Sequence, residues 1–439
     1  VSAVRTPQPA ARTGSSPANG RRRDRRDRRD DRRADSPGGP RRRVRLRRSY
    51  PGRHLGALPV ATLVAWQVAV GLLAAGVAVG GVLLVLGAVV FLAVVLGTAV
   101  WWNGRPLWRW LAVWTRFRRR NAQAAPGPPH DPGLAPLREW LPAFELSAVA
   151  GRRGERPAGV AHDGTGYVVV LGPRGDDLIA SADPVRVPLG ALANVGDAEG
   201  VRLASAQLLV RTLPAPAPTL GAYAAQLGAS YAEISGRSTP AATSWWVALR
   251  LEPSRDGTSV TLDGTDVDAV SRALRTTVGW ATKVLSSSGL PCRPLDESEL
   301  REVLDLTLGV DAQRATGAPR ERRTTESWRG WSCDGAAHVS GWLRSWPRTG
   351  IPSLSRVLAA MAGLPVQSAV ASLALTWAPD RTVRTTTFVR VVADDAKLAR
   401  TAFRQLTKAG ARSRIGIVRL DGEQTPGLIA TIPMGGGAR

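Results

Sequence analysis

The sequence predicts an α/β domain built on a mixed sheet, attached to an N-terminal two-helix transmembrane hairpin. Two observations predict the hairpin: residues 54–104 contain no Asp, Glu, Lys or Arg, and arginines crowd both ends of that run. A third predicts the domain. Beyond residue 137, apolar runs of strand length alternate with stretches whose apolar residues recur at helical spacing.

A bilayer core is crossed by about 20 apolar residues in helical form. One helix of the whole uncharged run would be roughly 75 Å long, far too long for one crossing. Two spans fit, near 59–79 and 82–102, reversed at Gly80-Gly81, where paired glycines permit a tight turn. A secretory signal peptide is excluded, because its apolar core is shorter and is followed by a small-residue cleavage site. Arg41–Arg43, Arg45, Arg47, Arg48 and Arg53 precede the hairpin, and Arg105, Arg109, Arg116 and Arg118–Arg120 follow it, while the turn is uncharged. Positive flanks stay cytoplasmic. Both termini are therefore expected in the cytoplasm, on a two-span protein of a bacterial plasma membrane. No ionisable residue lies inside the spans, which argues against a transporter or proton relay. Gly76 and Gly80, four apart, would let another helix approach closely.

The net charge of +24 is concentrated at the membrane flanks, since residues 1–120 hold 24 Arg and five Asp. Residues 1–48 carry almost no aliphatic side chains and include an Arg/Asp run over 21–33. Such a segment cannot bury enough apolar surface to offset its ordering entropy, so a disordered arm drawn to anionic phospholipid is expected. A polybasic nucleic-acid binder is the alternative. The hairpin occupies 49–104 and an interfacial helix 105–120, opened by Pro106. Trp101 and Trp102 fall where an aromatic belt would lie, and Trp108, Trp110 and Trp114 alternate with Arg105, Arg109, Arg116 and Arg118. Stacking on single-stranded nucleic acid is the rival reading of that interleaving. A Pro/Gly-rich linker, 121–136, leads to the soluble domain, 137–439, with room for two subdomains.

Within the domain, 160–173 reads as a β-hairpin turning at Asp163-Gly164, and 201–213 as a strand. Residues 245–253 alternate, with Val247, Leu249 and Leu251 on one face. Val267, Val270, Leu274, Val278, Ala281 and Leu285 form one helical stripe, stopped at Gly289-Leu290-Pro291. Asp296, three residues before Glu299, caps a second helix. A pair of short strands is expected over 328–347, with its tryptophans in the core. A helix near 353–363 and strands at 369–377 and 383–393 follow. The next helix, 394–409, is expected to end at a Gly410 C-cap, and the last stretch to run strand–loop–strand. Strand–helix–strand order over 245–300 and 383–420 is what predicts the mixed α/β layers.

Catalytic motifs are scarce. None of the three lysines, Lys283, Lys397 and Lys408, sits in a P-loop, so ATP hydrolysis is not expected of this chain. The four histidines make no zinc-binding cluster, and no nucleophile elbow occurs. Cys292 or Cys333 could pair with His338 as a dyad, but lone cysteines are more often core residues. Asp266 and Asp268 could serve a membrane-bound glycosyltransferase, yet they fall at a helix start, where carboxylates cap free N–H groups. The acidic loop 421–427 could hold a cation, and a hairpin connection explains its Gly and Pro equally well. No cofactor is predicted.

Several stretches together resemble one family. They are the basic arm and hairpin followed by Asn103-Gly104-Arg105-Pro106-Leu107, then Trp246-Val247-Ala248-Leu249-Arg250, and Gly289-Leu290-Pro291-Cys292-Arg293-Pro294-Leu295. Near the C-terminus, Arg419-Leu420-Asp421-Gly422-Glu423-Gln424 leads into Ile432-Pro433-Met434-Gly435-Gly436. Spread over about 41–436, this order resembles the EccE component of type VII (ESX) secretion systems. The resemblance implies a non-enzymatic membrane subunit beside EccB-, EccC- and EccD-type components, with the EccC ATPase supplying energy. The interaction surfaces expected on that basis are Gly76, Gly80, Trp101, Trp102, Arg105, Trp108, Arg109 and Trp110.

Overall fold

The computed structural model describes residues 46–48, 54–55, 58–102, 105–125, 133–151, 156–174, 189–198, 201–214, 241–252, 267–310, 322–345, 352–377 and 383–436. Most of the basic arm, Asn103-Gly104, Asp266 and much of the 121–136 linker lie outside the described residues.

Three short strands lead in: β1 (Leu46–Arg48), then β2 (His54–Leu55) paired with β3 (Leu58–Pro59). Two apolar helices follow, α1 (Val60–Val79) and α2 (Gly81–Ala99), packed on each other. The reversal rests on Gly80 (φ 75°) and Gly81 (φ 61°), a backbone that L side chains rarely adopt. The helix backbones touch where side chains are missing. A Cβ on Gly76 would lie 2.7 Å from Leu83 O, and one on Gly87 2.8 Å from Leu72 O. Trp66 adds a hydrogen bond to Thr98 Oγ1 at 3.1 Å. Gly81–Thr98 is long and apolar enough to cross a bilayer; the described apolar stretch of the first helix, Leu63–Val79, is shorter.

The second helix stops sooner than the expected 102. Trp101–Trp102 form β4, antiparallel to β5 (Arg105–Pro106), and Leu107 N closes the loop on Val100 O at 3.0 Å. Proline disfavours helical backbone at the residue before it, which holds Arg105 extended. Only then does α3 (Leu107–Gln123) begin.

The part after α3 opens with α4 (Ala135–Arg138), β6 (Glu145–Val149), β7 (Ala158–His162) and β8 (Tyr167–Pro173). Then come α5 (Leu189–Asn194), β9 (Asp197–Ala198), β10 (Val201–Arg202), β11 (Ser205–Leu213), β12 (Ala242–Leu251), α6 (Val267–Ser287) and β13 (Cys292–Pro294). After α7 (Glu297–Leu308) run β14 (Thr324–Ser327), β15 (Gly330–Cys333), β16 (Ala336–Ser345), α8 (Pro352–Ala362), β17 (Ser368–Trp377) and β18 (Val383–Ala393). The chain closes with α9 (Ala396–Arg412), β19 (Gly416–Arg419) and α10 (Gln424–Ile429).

One large sheet carries the domain, in the order β14-β15-β16-β18-β17-β11-β12-β8-β7-β6, with β13 also on β8 and β19 also on β16. The expected mixed sheet is corrected here: among the described residues every pairing in it is antiparallel except that of β1 with β18. The strand–helix–strand units misled because their strands are not neighbours. β12 and β13 both pair with β8, and β19 pairs with β16 rather than with β18. A helix between two strands makes a parallel crossover only when those strands pair with each other.

Helices cover both faces of the sheet, so the central strands are buried twice. Leu208, Val210, Val247, Leu249 and Leu373 pack with Ala281 and Leu285 of α6, Met361 of α8 and Phe403 of α9. On the other face, Leu209, Trp246, Ala248 and Val370 pack with Leu300 and Leu304 of α7 and with Leu428 and Ile432. Residues 246–251 are therefore buried on both sides, and their alternation separates two cores rather than core from solvent.

Three local readings change. The helix expected to end at Gly410 continues to Arg412, and Gly410 is buried, because a Cβ there would stand 2.8 Å from Ile417 Cδ1. The tail is strand then helix, since the buried Gln424 side chain binds the edge of β16 (Ser340 N to Oε1, 2.8 Å) in place of another strand. Of the 328–347 tryptophans, Trp331 is buried, while Trp328 and Trp342 are half-buried.

Candidate membrane-proximal docking site

α3 contains five arginines and no carboxylate, and its residues divide between two faces. Trp110, Val113, Phe117 and Arg120 recur at helical spacing and meet the sheet domain. Trp110 stacks on Trp328 at 5.3 Å between ring centres, and Phe117 meets the same ring edge-on at 5.4 Å. Val113 is buried against Gly422, where a Cβ would come 2.7 Å from Val113 Cγ1 and 2.6 Å from Trp328 Cζ3. Gly422 also has φ 74°, so both space and backbone call for glycine there.

The contact ends in a buried ion pair. Arg120 Nη2 donates to Gly422 O at 2.6 Å and to Glu326 Oε1 at 3.3 Å, while Nε reaches Oε2 at 3.4 Å. The Glu326 side chain is 0% exposed and also accepts from Thr425 N at 3.0 Å. One carboxylate thus joins α3, β14 and the C-terminal segment.

That segment is itself stitched to the sheet by buried side chains. Gln207 donates to Ala430 O and Ile432 O and accepts from Gly435 N. Arg250 reaches Met434 O at 3.2 Å while forking onto Asp163 at 2.8 and 3.0 Å. Burial raises the Asp163 pKa, but hydrogen bonds and charge from Arg250, with help from Thr165, outweigh it and hold the carboxyl at about 2.

The other face of α3 exposes Leu107, Trp108, Leu111 and Trp114, Leu111 being 61% exposed. Arg109 lies over the Trp108 ring at 5.4 Å and Arg118 over Trp114 at 4.7 Å.

The expected interaction residues scatter over this region. Gly76 packs on the chain's own α2, and a Cβ on Gly80 would meet nothing within 4 Å. Trp101, Trp102 and Arg105 belong to the β4–β5 pair. Trp108 is exposed, Arg109 half-buried, and Trp110 faces the domain. The sequence reading missed Val113, Phe117, Arg120, Glu326, Trp328 and Gly422. The 110-113-117-120 spacing was the available signal for the first three; nothing local marks the others.

The cysteines, His338 and Asp268 considered for chemistry are not part of this site, whereas the 421–427 loop supplies Gly422 and Thr425 to it. Burial pushes the Cys292 thiol up to about 11 and raises that of Cys333 further, which suppresses the thiolate a nucleophile needs. His338 is fully buried and neutral, with Nδ1 2.8 Å from Arg390 Nη1. Asp268 is exposed in the first turn of α6, and Asp266 lies outside the described residues. In the 421–427 loop, Asp421 pairs with Arg419 (2.9 Å).

Residues 239–343 match the family model described as "EccE: Putative type VII ESX secretion system translocon, EccE". No curated protein matches the chain. Among solved structures, one similar chain is described as "alkyldihydroxyacetonephosphate synthase in P212121", at 8% identity and a TM-score of 0.22. The alignment covers 63% of this chain and 50% of that one, so this chain spans half that protein's length. So low a score carries no argument about fold or activity. The family match contains Trp246–Arg250 and Gly289–Leu295, two of the stretches that carry the resemblance, and it runs from β12 into β16, taking in Glu326 and Trp328 of the docking surface but not Gly422. Over residues 239–343 this chain is thus similar to the EccE family, described as a type VII ESX secretion system translocon, in agreement with the resemblance read from the sequence.

Proposed function

We propose that this chain is a non-enzymatic structural subunit of a type VII secretion complex, which anchors and braces the assembly at the bacterial plasma membrane. In this reading α1 and α2 cross the membrane as a hairpin, and both termini lie in the cytoplasm, in line with the arginines on either side. The arm takes 1–48, the hairpin 49–104, the interfacial helix 105–120, the linker 121–136 and the cytoplasmic domain 137–439.

The observation that carries the reading is the two-sidedness of α3. Its inner face is bound to the domain through Trp328 and Glu326. Its outer face offers Leu107, Trp108, Leu111 and Trp114 among arginines, a composition suited to the head groups of anionic phospholipid. A helix held in this way ties the orientation of the domain to the membrane plane. Trp101, Trp102 and Arg105 would lie at the head-group boundary, and Trp108 and Arg109 in it, while Gly76 and Gly80 close the hairpin. The partners this reading implies are membrane subunits of EccB, EccC and EccD type, with EccC as the energy source.

The test is extraction of the tagged chain from its host in mild detergent, followed by a native gel and mass spectrometry. A megadalton-scale band containing a multidomain ATPase and further membrane subunits is expected. Migration as a lone monomer or homodimer would overturn the reading.

A further inference from the structure

α9 packs one side on the sheet and turns the other to solvent. Ala399, Ala402, Phe403, Leu406 and Gly410 are buried. The outward side carries Lys397, Arg400, Arg404, Lys408 and Arg412; Arg400 is half-buried and the other four are exposed. They recur three or four positions apart, so they form one row roughly 22 Å long at about 1.5 Å per residue. The helix contains no Asp or Glu. Among the described residues none of the five cations has an ion-pair partner. α8, packed beside α9, adds the exposed Arg356 and likewise holds no carboxylate.

Composition does not account for this row. Residues 121–439 hold 35 basic and 30 acidic residues, so a helix of a single sign departs from its surroundings. The helix's own electrostatics do not account for it either. Arg400 and Arg404, Arg404 and Lys408, and Lys408 and Arg412 are like charges four positions apart, and each such pair destabilises a helix. The macrodipole favours Arg412 in the last turn but disfavours Lys397 in the first. The first turn relies instead on the Asp395 cap, which accepts from Lys397 N and Leu398 N at 2.6 and 2.8 Å. Such a row opposes the helix that carries it and suits an anion laid along it.

The fold separates this row from the membrane-proximal helix. Phe403 and Leu406 pack on the sheet face that also carries Leu208 and Val247. α3 is held by Gly422 and Thr425, in the segment whose Leu428 and Ile432 cover the opposite face. With α3 at the head groups, the row points away from the bilayer. No aromatic side chain stands on the exposed side of α9 to stack on bases. At its start the row meets the exposed Asp394 and Asp395, which repel a phosphate backbone running past it.

We propose that the α9 row docks an acidic peptide segment of a partner protein, on the side of the sheet away from the membrane. Contacts of this kind speed encounter and fade with salt more than they add affinity. Only the exclusion of lipid rests on the placement of α3 proposed above.

The test exploits the scarcity of lysine, since Lys283, exposed on α6, is the one lysine outside the row. The full chain in phosphatidylcholine nanodiscs is mixed with a Glu/Ala peptide and a carbodiimide, which joins carboxylates to lysine amines but not to arginine. Coupling at Lys397 and Lys408 is expected to exceed that at Lys283 at least about tenfold, and to fall as salt is raised. Arg400→Gln, Arg404→Gln and Arg412→Gln together keep both lysines and should reduce their coupling to the Lys283 level. The unfolding midpoint of this triple variant should be unchanged or raised, because like-charge pairs are removed. Arg22→Gln with Arg25→Gln, in the basic arm, should leave coupling at the row unaltered. Equal coupling at all three lysines, or no loss in the triple variant, would overturn the proposal. A lower midpoint for the triple variant would do so too, marking the row as structural. Lysine acetylation supplies the remaining arms. Protection of Lys397 and Lys408 by duplex DNA but not by the peptide would assign the row to nucleic acid. Protection on adding phosphatidylglycerol to the disc would assign it to the bilayer, and either result overturns the proposal. Neither touches the native-gel experiment, so the two readings fail separately.

Discussion

Glu326 and Asp163 show how single carboxylates hold separate segments of this chain together. Replacing Glu326 with Ala leaves the Arg120 guanidinium and Thr425 N–H without their acceptor in a closed contact. Removing one partner of such a pair destabilises by about 3 kcal/mol, and chemical denaturation of Glu326→Ala is expected to show that loss. Asp163 acts through pH. Its folded pKa of about 2 lies below the ordinary 3.8, so its contribution is complete above about pH 4 and disappears as pH falls toward 2. The shift corresponds to about 2 kcal/mol. Asp163→Asn should lose that stability at pH 6, and denaturation midpoints measured between pH 2 and 5 should then flatten relative to wild type.

At the scale of elements, α3 is the part with two separable jobs. Gly422→Ala would drive a methyl group into Trp328 and Val113 at a backbone angle unfavourable for alanine, and should release the inner face. Amide exchange of α3 is expected to quicken at least about tenfold in this variant, with the β11–β12–β17 core unchanged. Substitutions on the outer face should do the reverse. Trp108→Phe with Trp114→Phe should leave exchange of α3 unaltered but reduce quenching of tryptophan fluorescence by brominated anionic lipid. Equal quenching in that double variant would place the outer face away from the bilayer.

The whole molecule makes a topological prediction. Both native cysteines are buried and so poorly reactive, which permits engineered ones to be read cleanly. A cysteine at Val79, beside the Gly80 turn, should be labelled by a membrane-impermeant maleimide in intact cells. One at Thr115, exposed on α3, should be labelled only after lysis. Labelling of both in intact cells would exclude a cytoplasmic domain carried by a two-span hairpin.

What the sequence determined by itself was local. The α1–α2 pair, its glycine reversal, the Asp163-Gly164 hairpin, the apolar stripe of α6 and the Asp296–Glu299 capping box were all legible, because each depends on residues within one or two turns of one another. The Asp334-Gly335 turn, with both residues at positive φ, carried the same signal and went unread. The antiparallel sheet was decided elsewhere, by which distant strands pair, and strand–helix–strand order does not encode that choice. Gly410 looked like a helix end but was needed for its closeness to Ile417. Half of the docking site was equally invisible. Trp110, Val113, Phe117 and Arg120 announce a helical face, but Trp328, Glu326 and Gly422 lie some 200 to 300 positions away and acquire meaning only when the fold presses them against it. Short-range pattern specifies an element and its faces; which surface each face meets is a property of the packed chain.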